Sequence, residues 1–158
     1  MKKSVVLCVM PICAMLAMTA CGNNTENTQG AYGTKVDDEK LAAYLMDHVT
    51  FKDTMSVPGD KLAMELYDLD ADEFESITVY ASTGATAEEV AVISVKDAVQ
   101  TAAVRESIND RIEDQKEGFT NYVPGELTKL ANPVVTQIGD CIVLVVCDDG
   151  AEAENALN

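Results

Sequence analysis

Beyond residue 36 the apolar positions of the chain change period several times, and each change marks an element. Along "VDDEKLAAYLMDHV", residues 36 to 49, Leu41, Tyr44, Leu45 and His48 recur at helical spacing. The acidic residues gather in the first turn, where the helix dipole favours them, so the stretch predicts an amphipathic opening helix. Pro58 and Gly59 then mark a turn, and "KLAMELYDLDADEFE" predicts a short helix running into an acidic corner. The period shortens in "SITVYAS", residues 76 to 82, and "EEVAVISV", residues 88 to 95. Two β-type runs joined by "TGATA" read as a hairpin.

Helical spacing returns in "KDAVQTAAVRESINDRIEDQKEGF", with Asp97 placed to cap it and Val104, Ile108 and Ile112 at i, i+4 and i+8. This is the longest helix expected and the one suited to cover the sheet. Pro124 stands near the start of a second, short helix in "NYVPGELTKLAN", where a missing N–H costs nothing. "PVVTQI", a Gly139-Asp140 turn and "CIVLVV" make a second hairpin. "GAEAENALN" closes the chain as a frayed helix or tail. The order predicts an α+β fold: a single small domain, mainly an antiparallel sheet of two hairpins covered by helices.

The first 35 residues follow none of these patterns. Lys2 and Lys3 precede an uncharged apolar stretch, residues 4 to 20, which fits the core of an export signal. It ends in "MTAC", small residues directly before Cys21, and this is similar to the lipobox of bacterial lipoproteins. The resemblance implies a diacylglyceryl group on the Cys21 thiol and cleavage between Ala20 and Cys21. A retained anchor is the second reading, since the stretch reaches only the lower limit for spanning a bilayer and Pro11 interrupts it. Ordinary secretion is the third, with Met18 large for a cleavage site. "GNNTENTQGAYGT", residues 22 to 34, is polar and Gly-containing and reads as a flexible tether. The domain plan is therefore a signal at 1–20, a lipidated Cys and tether at 21–35, the α+β domain at 36–149 and a tail at 150–158.

Composition narrows the function classes. Eleven basic and 27 acidic residues give a net charge of −16, which becomes −18 when Lys2 and Lys3 leave with the signal. Without a basic stripe, nucleic acid is excluded as a partner, and so is adhesion to an anionic bilayer through the protein surface. Of five cysteines, Cys8 and Cys13 fall in the signal and Cys21 takes the lipid. Cys141 and Cys147 lie six residues apart on one expected strand, about 20 Å, too far for a disulfide. Their even spacing sends both thiols to one face, to pack as small apolar groups.

Candidate chemistry is sparse. Asp68, Asp70 and Asp72 alternate as in a calcium loop, but Glu73 and Val79 stand where such a loop needs Gly and a bidentate Glu. Asp70 capping a turn with Glu73 reaching back accounts for the spacing, and a loosely built cation site is the alternative. His48 is the one imidazole, beside Asp47 near a helix end that itself favours it. Glu88 and Glu89 are a carboxylate pair, but adjacent strand residues point to opposite faces, and edge charges that discourage aggregation explain them. Tyr80 and Tyr122 are candidates for a surface groove, although aromatics make up 5% of the chain and Trp is absent, which disfavours a sugar platform. No GxSxG, HExxH, phosphate loop or paired Cys motif occurs.

Taken together, "EEVAVISVKD", "FTNYVPGELTKLANPVV" and "GDCIVLVVCDD" resemble a family of small Gram-positive bacterial lipoproteins that carry a domain of unknown function. The matching residues are those of packing and turns, including Phe119, Tyr122, Pro124 and Asp148, and the resemblance implies an extracytoplasmic lipoprotein with no catalytic residue to carry over. The expectation is a protein held on the extracytoplasmic face of the cell membrane through its lipid anchor alone. It would serve as a non-catalytic binding or accessory module, with an envelope protein or a small ligand as its partner and no cofactor or metal. A small envelope hydrolase and a weak cation-binding lipoprotein are the alternatives.

Overall fold

A computed structural model describes residues 33–158, so that the expected signal at 1–20, the expected lipidation site Cys21 with Ala20 before it, and most of the expected tether lie outside the described residues. Five helices and four strands follow in the order α1 (Asp38–His48), α2 (Asp60–Tyr67), β1 (Ser76–Ala81), β2 (Glu89–Ser94), α3 (Ala98–Thr120), α4 (Leu127–Ala131), β3 (Val134–Ile138), β4 (Cys141–Val146) and α5 (Gly150–Leu157). A 3-10 turn, Pro124–Glu126, leads into α4. The strands form one antiparallel sheet in the order β1-β2-β4-β3. Each hairpin thus gives one central and one edge strand, and the α+β fold of two hairpins covered by helices is the observed one.

The two central strands explain their own composition. All six residues of β2 and all six of β4 are buried, as a continuous apolar run requires when helices cover both faces. Alternation sorts them. Ala91, Ile93, Ile142, Leu144 and Val146 join Val104, Ile108 and Ile112 of α3 in one core, to which α2 adds Ala63 and Tyr67 and α4 adds Leu130. Val90, Val92, Val143 and Val145 turn the other way, onto Ala42 and Leu45 of α1 and Ala153 of α5. Cys141 and Cys147 share this second face as free thiols. Burial pushes the first up to about 12 and the second up to about 11.

Local chemistry fixes the ends. Asp97 accepts from the N–H groups of Val99 and Gln100 at 2.9 Å each and starts α3. Asp37 caps α1 through Lys40 N–H at 3.0 Å. Asp149 caps α5, which is a regular helix docked on α1 rather than a frayed end, with Glu152 accepting from Thr50 N–H at 2.9 Å. In α1, Tyr44 and His48 point to solvent and stack on each other at 3.9 Å, while Ala42 and Leu45 face the core. At the β3–β4 turn Gly139 takes φ +58°, and its carbon lies so close to the entering chain that a β-carbon would sit 2.1 Å from the Thr34 carbonyl oxygen. Asp140 N–H donates to that oxygen, and its carboxylate accepts from Val36 N–H at 2.7 Å.

Candidate functional site

Two places gather polar chemistry: the start of β2, and the outer edge of β1. Glu88 and Glu89 stand at the first. They were expected as edge charges, but β2 is a central strand, and the two residues are 1% and 0% exposed. What keeps them there is hydrogen bonding. Glu89 accepts from the Tyr67 hydroxyl at 2.5 Å, from Arg111 Nε at 3.2 Å and Nη2 at 2.6 Å, and from Gln115 Nε2 at 2.7 Å. Burial, with the Glu89 carboxylate beside it, pushes the Tyr67 phenol far above its ordinary range.

Glu88 meets a different set. Its carboxylate accepts from the N–H groups of Lys52 and Asp53, from Thr86 Oγ1 and from Lys129 Nζ at 3.1 Å. Burial raises this carboxyl, yet the two backbone donors and the Lys129 ammonium outweigh it and hold the group below the usual carboxylate range. Lys129 is itself buried and also reaches Glu126 at 2.9 Å and Asp148 at 3.7 Å. Both glutamates therefore spend their lone pairs on fixed partners from the 50s loop, α2, α3 and α4. Such closed clusters hold the hairpin's loop end to its neighbours, because removing one member would strand a buried charge.

The second place is open to solvent. β1 is an edge strand, and beside it runs a groove of about 640 Å³ between the starts of α1 and α2. Ser82 N–H pairs inward with Glu88, whereas Ala81 exchanges both backbone bonds with Ser56 on the outer side, each at 2.9 Å. Alternation then turns the backbone groups of Ile77 and Val79 outward too. The chain that pairs through Ser56 leaves the edge at Pro58 and Gly59, where φ is +81°. It therefore covers Ala81 and leaves Val79 and Ile77 facing the groove. One wall carries Ala63, Met64 and Phe74 from the α2 side; the other carries Asp37, Asp38 and Glu39. Asp38 accepts from Ser76 Oγ at 2.9 Å and Thr78 Oγ1 at 2.8 Å, tying α1 to β1.

The residues singled out from sequence fare unequally. Tyr80 does line the groove, whereas Tyr122 is exposed beside Phe119 at the far end of α3. Asp68, Asp70 and Asp72 are all exposed, and Glu73 reaches back to accept from Asp70 N–H at 2.8 Å, closing a turn without a helix after it. Among the described residues no group of three His, Cys, Asp or Glu is arranged to hold a metal, and no helix is long and apolar enough to cross a membrane. Apart from Tyr80, the groove's lining was missed, because it depends on which strand lies at the edge. The departure of the chain at "VPGD" was its one trace in the sequence.

Fold and site together define a small α+β domain with closed internal charge clusters and a deep groove along the β1 edge. The chain belongs to the family described as Domain of unknown function (DUF4358), whose model matches residues 47–147. Comparison with curated proteins gave no match, and neither did comparison with solved structures.

Proposed function

We propose that this protein is a membrane-anchored, extracytoplasmic lipoprotein whose domain is a non-catalytic binding module of the cell envelope, with the groove beside β1 as its binding surface. The observation that carries this reading is the contrast between the two polar places. Glu88, Glu89, Arg111 and Lys129 are locked to one another inside the fold, while the groove offers solvent a walled, unpaired strand edge. The lipobox-like "MTAC" ending at Cys21 supports the anchoring part, since the two acyl chains such a site receives hold a protein durably where one does not. Residues 22 to 34 then supply reach, and confinement near the membrane raises the local concentration of a partner.

Two measurements test the reading. The first is the mass of the mature protein from membranes of its own host, beside Cys21→Ser: a lipid-shifted N-terminus at Cys21, lost in the variant, is expected. An unmodified or uncleaved chain refutes the anchoring. The second places a photocrosslinking amino acid at Val57, on the groove, or at Tyr122, away from it, in living cells. Adducts from Val57 and none from Tyr122 are expected, and their absence from Val57 refutes the groove's role in the envelope.

A further inference from the structure

We infer that β1 takes up an extended segment of a partner protein as a fifth strand of the sheet, and that this segment alternates basic with apolar residues. The inference rests on the binding reading above and adds the mode and the chemistry of the partner. The backbone comes first. Ile77 and Val79 present outward N–H and C=O groups in register with Ala81, which already carries a strand-like pair to Ser56. A partner strand continues that ladder where the chain's own residues depart, at Pro58, which has no N–H to give. Strand addition of this kind draws its affinity from main-chain bonds and its specificity from alternate side chains.

The walls set the alternation. Successive residues of an added strand point to opposite faces. One set would lie against Ala63, Met64 and Phe74, and the next against Asp37, Asp38 and Glu39. Asp60 and Glu75 bring the carboxylates lining the groove to five. Lys40 pairs with Asp37 and Lys96 with Glu75, and the two helix starts add about half a positive charge each. The groove still keeps a net charge of about −2, which favours lysine or arginine at the positions facing α1.

The same charge excludes other occupants. A second copy of the chain would set acidic groove against acidic groove, which costs rather than contributes. Residues 22 to 34 hold Glu26 and no basic residue, so the chain's own leader lacks the complementary charge. The opposite edge, β3, has a shallower recess of about 400 Å³ with Glu154 as its one carboxylate.

The test is amide hydrogen exchange on the detergent-solubilised full chain, resolved at Ile77 and Val79, with peptides of about seven residues. One peptide alternates lysine with valine, and the other alternates glutamate with valine. The lysine peptide is expected to slow both amides at least about tenfold, less at high salt, and the glutamate peptide to leave them unchanged. Glu39→Lys combined with Asp60→Lys, both at exposed positions, is expected to weaken lysine-peptide binding about tenfold while the free protein stays folded, with only the small drop in melting temperature that two lost first-turn carboxylates bring. Equal protection by both peptides, protection by neither, or a dimer that shields these amides in the free protein overturns the inference. If it falls while Val57 still crosslinks in cells, the binding reading survives with another mode. If strand addition holds but Val57 finds nothing in cells, the envelope role falls instead.

Discussion

Arg111→Met leaves the Glu89 carboxylate buried without its cation while keeping most of the aliphatic stem. In the wild type Arg111 Nη2 lies 2.6 Å from Oε2, and the Glu89 side chain is 1% exposed. Breaking a pair so placed costs about 3–5 kcal/mol, because the remaining charge cannot return to water. The low end, about 3 kcal/mol, is expected because the Tyr67 hydroxyl and Gln115 amide still donate. At about 4 °C per kcal/mol, the melting temperature falls by roughly 12 °C. The chain has no Trp, so urea unfolding is best followed by far-UV circular dichroism. Glu89→Gln added to Arg111→Met removes the stranded charge and is expected to restore most of the loss. A deficit under about 1 kcal/mol, or one that Glu89→Gln fails to reduce, would refute the reasoning.

Other outcomes follow from single contacts. Gly139→Ala drives a β-carbon into the Thr34 carbonyl at positive φ and is expected to cost about 2 kcal/mol or more. The opened Asp140 N–H bond would show as faster amide exchange there. Asp97→Ala removes two bonds at the start of α3 and is expected to cost about 1 kcal/mol of stability, read as a lower urea midpoint. Glu88→Gln is expected to be less stable than wild type at neutral pH. Because the Glu88 carboxyl is held below its usual range, its contribution is present above the unfolded pKa of about 4.3 and lost as pH falls through the folded value, where the two curves should converge. Cys141 and Cys147, pushed up to about 12 and about 11, are expected to resist iodoacetamide in the native state and react in urea, read by peptide-resolved mass spectrometry.

What the sequence displayed was whatever a short window can hold. Both hairpins, the Asp97 cap and the Val104, Ile108, Ile112 stripe rest on spacing within one element, and all are found. The burial of Glu88 and Glu89 rests on partners elsewhere: Arg111 comes 22 residues after Glu89, and Lys129 comes 41 after Glu88. No local pattern announces them. A hint did exist, since "VAVI" within β2 is continuously apolar as "CIVLVV" is, and a run of that kind belongs at the centre of a covered sheet. Two adjacent carboxylates at the head of such a strand are held by cations from other elements. Tyr44 and His48 mislead in the opposite sense, for their helical spacing matches a core face, yet they satisfy each other by stacking in water.

The two helices that cover the second face of the sheet have a bearing on where the domain can be cut. Residues 47–147 match the family, but α1 lies almost wholly before that segment and α5 wholly after it. A fragment trimmed to the matched limits would keep all four strands and bare Val90, Val92, Val143 and Val145 together. An apolar patch across the two central strands is an invitation to aggregate. α1 and α5 pack on each other, and Glu152 of α5 also clasps Thr50 just after α1, so the chain's two flanks act as one lid for that face, and losing either flank to a protease loosens the other. Any relative built on the matched segment alone must bring its own cover for these valines, from sequence that the shared pattern does not include.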